Sequence, residues 1–131
     1  MIQALRSALN TTGLTCTGFT TSNFFHERIK EGSAFPYTVY KSLPSTVSRD
    51  SATDFENNEI QFVISSDVCT EVETKATALK TVFDYGKDNL SVSGYTVVEC
   101  VRTLEIGPSH LDETNIWTYI LQYRITISTS R

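Results

Sequence analysis

In the stretch "NIWTYILQYRITIST", large apolar side chains recur at every second position: Trp117, Tyr119, Leu121, Tyr123, Ile125 and Ile127. Thr118, Ile120, Gln122, Arg124 and Thr126 fill the positions between them. A period of two predicts a long strand with one face sealed against a core and a second face of mixed character. "EIQFVISS" repeats the pattern, with Ile60, Phe62 and Ile64 set against Gln61 and Val63. "FPYTVYKSL" and "SGYTVVECVRTLEIGP" are rich in β-branched and aromatic residues and predict two further strands, Pro36 marking the start of the first. Pro108 and Asp112 put a turn in "GPSHLDETN", between the last two strands.

The period changes to 3.6 in "SDVCTEVETKATALKTVFDYG". There Val68, Val72, Ala76, Leu79 and Phe83 predict a buried helical stripe, with Glu71, Lys75 and Asp84 on the solvated side. Ser66 or Asp67 is the expected N-cap, Glu71 and Glu73 suit the positive end of the helix dipole, and Gly86 is set to stop the helix. Ile2, Leu5 and Leu9, with Ala4 and Ala8, predict a short helix over residues 2–10 that Gly13 ends. The Thr- and Gly-rich "TTGLTCTGFTTSNFF" reads as a loop. So does the polar excursion from Pro44 to Asn58, charged at Arg49, Asp50, Asp54 and Glu56. The order helix, strand, strand, helix, strand, strand then predicts an α+β two-layer sandwich. Its sheet is mainly antiparallel and four-stranded, with two helices on one face.

A chain of 131 residues is expected to fold as one domain, 1–131, and its 40% hydrophobic content is enough for a core without staples. A net charge of −4 with no basic run argues against unspecific DNA or anionic-membrane binding. Three cysteines, Cys16, Cys69 and Cys100, lack metal or disulfide spacing and read as reduced thiols. The start "MIQALRSALN" has no continuous apolar region of the signal-peptide kind, and no stretch approaches the ~18 apolar residues that would cross a bilayer.

The search for chemistry returns little. His26 and His110 lie in no nucleophile or zinc pattern, and His110 with Asp112 and Glu113 reads as a solvated turn rather than a metal site. Cys69 and Cys100 read as small core hydrophobes. Carboxylate pairs such as Asp54 with Glu56 would need a sugar-sized cleft to act as acid and base. None of the six glycines forms a phosphate loop, so no cofactor, metal or catalytic residue is expected.

The succession "EGSAFPYTVYKSL", a polar excursion, "ENNEIQFVISSD" running into a helix, "YTVVECVRTLEIGP" and a final "WTYILQYRITI" resembles the tail terminator or tail completion proteins of long-tailed bacteriophages. The likeness spans about Phe35 to Ile127, through a "PY" that opens a strand, a Ser-Asp helix cap and an aromatic-rich last strand. It implies a non-enzymatic virion protein that forms a ring, commonly of six, on the head-proximal end of the tail tube. There the ring stops tube growth and joins the tail to the neck. The implied partners are the chain itself, the tail tube protein and a neck or head-completion protein, with no membrane, and with DNA only passing through the ring channel. The implied location is the virion, reached from the host cytoplasm during assembly.

Two surfaces are candidates for those contacts. One is the second face of the last strand, with Ile120, Gln122 and Arg124; the alternative there is a sheet face left in water. The other is the polar excursion, with Arg49, Asp50, Asp54 and Glu56; the alternative there is a solvated loop. Readings of another kind are a neck ring protein, or a small ligand-binding module whose site lies around Tyr95 to Arg102 and Thr118 to Arg124.

Overall fold

The computed structural model describes residues 3–17, 24–26, 35–43 and 55–129. Helix α1 (Gln3–Thr17) precedes strands β1 (Phe24–His26), β2 (Tyr37–Leu43) and β3 (Phe55–Ser66). Helix α2 (Cys69–Phe83), the short α3 (Gly86–Asn89) and strands β4 (Tyr95–Leu111) and β5 (Ile116–Thr129) follow. The strands form one sheet in the order β1-β2-β3-β5-β4. β2, β3, β5 and β4 pair antiparallel throughout, which is the expected four-stranded α+β sheet, and the three-residue β1 adds a parallel edge to β2.

Register decides which residues meet the helices. Tyr119, Leu121 and Tyr123 of β5 stand opposite Ile64, Phe62 and Ile60 of β3, and Tyr40 of β2 stands opposite Phe62. All are buried, together with Ile125 and Ile127, under Leu5 and Leu9 of α1 and Val72, Ala76, Leu79 and Phe83 of α2. The alternation of the sequence thus becomes one apolar layer between sheet and helices. Phe62 is its centre, with ring centroids 5.0 Å from Phe83, 5.9 Å from Tyr40 and 6.3 Å from Tyr123. Tyr40 is anchored by its hydroxyl, which hydrogen-bonds to Asn10 Oδ1. Tyr123 donates to Asp84 Oδ1 at 2.6 Å.

Several local expectations give way to packing. Gly13 does not end α1, which continues to Thr17. A Cβ at Gly13 would lie 2.8 Å from Phe24 Cε1, so the glycine makes room for the Phe24 ring where α1 meets β1. Phe24 itself is buried against Tyr40 and Phe62, which turns part of the expected loop into a strand. Gly86 likewise is no stop signal. Helix α2 ends at Phe83, and Gly86 is buried with a would-be Cβ 2.8 Å from Cys100 Cβ.

At the other end of α2, neither expected N-cap caps the helix by its side chain. Val68 holds the cap position, and Ser66 Oγ accepts the Val68 amide at 3.1 Å while donating to Glu71 Oε2 at 2.6 Å. Val68 is therefore exposed instead of joining the buried stripe. β3 starts at Phe55, inside the expected polar loop, because Asn57 pairs with Thr126 of β5 and accepts its hydroxyl at 2.6 Å. β4 runs on through Pro108 to Leu111, past the expected turn. A bulge between Ile106 and Ser109 accommodates the proline on this edge strand, and the turn forms at residues 112–115, with Asn115 at φ 55°.

Candidate interface on the open sheet face

The face of the sheet turned away from the helices is built row by row across the strands. Ile106 of β4 stands opposite Ile120 of β5, Ile120 opposite Val63 of β3, and Val63 opposite Val39 of β2. The next row is Leu104, Gln122, Gln61 and Lys41, and the next is Val101, Arg124, Glu59 and Leu43. One uninterrupted apolar row therefore crosses four strands, and three apolar residues head the rows along β4. Val101, Leu104 and Ile106 are 39%, 40% and 42% exposed.

Arg124, Gln122, Glu59 and Glu99 find partners within this face, and Lys41 is exposed at its β2 edge. Arg124 Nη2 lies 2.9 Å from Glu99 Oε1, and Gln122 Nε2 donates to Glu59 Oε2 at 3.2 Å. Among the described residues the face carries Lys41, Arg124, Glu59 and Glu99, a net charge of zero on a chain of −4. It is a mixed surface, neutral in sum, crossed by one apolar row.

Register shifts make β4 what it is. Strict alternation would set Val101 and Leu104 on opposite faces, but a bulge between Arg102 and Leu104 brings both to the open face. The same shift turns Glu105 toward α2, on the side that Arg102 already faces. There Lys80 Nζ lies 2.9 Å from Glu105 Oε2, and Arg102 Nη1 lies 3.3 Å from Asp84 Oδ2 and 3.5 Å from Glu105 Oε2. The hydrogen bond with Glu105 raises the Lys80 pKa, and the one with Lys80 lowers that of Glu105. Burial, with the bond to Asp84, pushes the Tyr123 phenol up. The helix side of β4 carries these ion pairs, while Val101, Leu104 and Ile106 stand exposed on the other side.

The remaining polar groups offer structure more than chemistry. His110, its ring tilted against Trp117 with centroids 4.7 Å apart, has Nδ1 2.9 Å from Asp112 Oδ1 and Nε2 2.9 Å from Asn115 Oδ1, so both ring nitrogens brace the turn. Its pKa is raised, first by the Asn115 bond and then by Asp112. His26 is half-buried, its ring 5.0 Å from that of Tyr40. Cys100 is in the core and its thiol donates to the Phe83 carbonyl at 3.2 Å; burial pushes its pKa up to about 12. Cys69 is only partly buried, beside Glu73. A groove between α1 and the segment leading into β4 is lined by Ser7, Thr11, Asn89, Ser91 and Ser93, which supply hydrogen bonds but no titratable group.

The fold has a counterpart in a virion. A chain of the virion of a native gene transfer agent particle superposes with a TM-score of 0.65 over 97% of this chain and 99% of that one, at 12% identity. A second solved chain superposes with a TM-score of 0.54 over 100% of this chain and 97% of its own length, at 16% identity. No family model matches the sequence, and no curated protein does. At these identities the likeness shows the fold.

Of the interface residues expected from sequence, Ile120, Gln122 and Arg124 do share the open face, one above another on β5. Arg49, Asp50 and Asp54 lie outside the described residues, and Glu56 contributes backbone to β3 opposite Ile127. Sequence reasoning missed Val101, Leu104 and Ile106 as one surface. The signal was there in the uneven spacing of apolar residues at 98, 101, 104 and 106, which fits no two-residue period and marks a bulged strand.

Proposed function

We propose that this protein is a structural, non-enzymatic virion component that forms a ring, hexameric as in the tail terminators it resembles, at the head-proximal end of a phage tail tube. There it ends tube polymerisation and joins the tail to the neck. The observation that carries this reading is the fold shared end to end with a chain of the gene transfer agent virion. The open sheet face supports it, since an apolar row across four strands with Val101, Leu104 and Ile106 exposed beside it suits a contact site. In this reading Ile120, Gln122 and Arg124 meet the neighbouring subunit, while Arg49, Asp50, Asp54 and Glu56 reach the tube or neck protein as a polar rim. The partners are the chain itself, the tail tube protein and a neck or head-completion protein, and DNA passes through the ring channel.

Mass photometry over a concentration series, with negative-stain images of the heaviest species, tests the ring. The expected result is a closed ring, alone or on added tail tubes, that halts tube elongation. A monomer that neither assembles on tubes nor stops their growth overturns the reading. A ring that binds only tubes already capped by another protein makes it a neck component instead.

A further inference from the structure

If the protein forms a ring, the open face of one copy must meet a different surface of the next, because contacts between unlike surfaces close rings whereas a face packed on itself closes a dimer. We infer that the apolar line Val101, Leu104 and Ile106 of one copy seats on the outward side of helix α2 of its neighbour. This deepens the ring reading and rests on it.

Helix α2 has an unusual outer line. Val72, Ala76, Leu79 and Phe83 face the core, and the positions diametrically opposite are Thr70, Thr74, Thr77 and Thr81, all exposed. A solvated helix face normally carries Lys, Glu or Gln, which are better helix formers than threonine. Here the most outward line has no charge. Thr74 Oγ1 donates to the Thr70 carbonyl and Thr81 Oγ1 to the Thr77 carbonyl, both at 2.8 Å, which turns hydroxyls inward and methyls outward.

The two surfaces match in charge and in length. The open face sums to zero, so it adds no net repulsion against a neighbour whose remaining surface is acidic, and its apolar line faces an uncharged one. Val101 to Ile106 spans four residues of β5 by register, ~13 Å at strand rise, and Thr70 to Thr81 spans ~16 Å at helical rise. Strand-on-strand addition at the β4 edge is a poor alternative, since three register shifts and Pro108 interrupt the hydrogen-bonding row that a further strand would need.

Charge-swap rescue and disulfide trapping test the contact. Ile106→Lys and Thr77→Lys should each reduce the ring fraction about tenfold or more, through a charge buried without a partner, with the monomer's circular dichroism and melting point unchanged. Ile106→Lys combined with Thr77→Glu should restore rings. In a chain with Cys16→Ser and Cys69→Ser, the pair Ile106→Cys and Thr77→Cys should give a ladder of cross-linked chains on oxidation, and neither single cysteine should. Rings that tolerate Thr77→Lys, or dimers trapped through Ile106→Cys alone, overturn the inference and leave the ring reading standing. Absence of rings from the unsubstituted chain, alone and on tubes, removes both.

Discussion

Gly86 and Cys100 lie so close that a side chain added at Gly86 would run into Cys100. A methyl at Gly86 would sit 2.8 Å from Cys100 Cβ and closer still to Sγ, so α3 or β4 would have to shift to admit it. Gly86→Ala is therefore expected to destabilise the fold by about 1–3 kcal/mol, read from urea midpoints. In a Cys100→Ala background the cost should shrink, because the sulfur that the methyl meets is gone; equal costs in both backgrounds would dismiss the steric account. At the centre of the same core, Phe62→Ala should cost about 3–5 kcal/mol by the same measurement. From sequence Gly86 reads as a helix stop and Gly13 as another. Both glycines serve close approaches to residues distant in the chain, Cys100 and Phe24, and a local reading has no access to such contacts.

At the scale of elements, periodicity was enough wherever one side of an element meets the core throughout. β3, β5 and the middle of α2 kept their predicted faces because Ile60, Phe62, Ile64, the alternating residues from Tyr119 to Ile127 and the stripe from Val72 to Phe83 all meet in one layer. β4 broke the rule, since as an edge strand it can absorb bulges that change its facing three times. For the candidate site, Ile120, Gln122 and Arg124 were legible by alternation on β5, whereas Val101, Leu104 and Ile106 depended on those bulges. The facing of β4 is held by the pairing of Glu105 with Lys80 and Arg102. Because Glu105 ionises more readily in the fold than in the unfolded chain, its contribution is fully present above the ordinary glutamate value of about 4.3. That contribution is lost as the pH falls through the lowered folded value. Partly exposed pairs are worth little, so Glu105→Gln should cost less than about 1 kcal/mol at pH 7. Urea midpoints of the two proteins should converge on acidification below the carboxylate range. A gap that persists there would assign the effect to packing.

For the whole molecule, the net charge of −4 opposes the proposed ring, since every copy added to it would bring more of the same sign. The open face avoids this locally, being neutral in sum and crossed by an apolar row, so what opposes association is the field of the rest of the surface. Salt should then favour self-association: the screening length falls from ~10 Å at 0.1 M to ~3 Å at 1 M, weakening the repulsion while the apolar contact persists. The proposed attachment to the tube through Arg49, Asp50, Asp54 and Glu56 should respond in the opposite sense, because ion pairs in contact with water lose strength as they are screened. Mass photometry of the chain alone and pelleting with purified tail tubes, across the same salt series, separate the two contacts within one set of samples. Ring occupancy that rises with salt while tube attachment falls would assign self-association to the neutral face and capping to the charged excursion. Ring occupancy that falls with salt would mean that copies are held by ion pairs, and the open face would lose its role between subunits. Deleting residues 48–53 should remove the salt response of tube attachment and leave that of ring formation untouched.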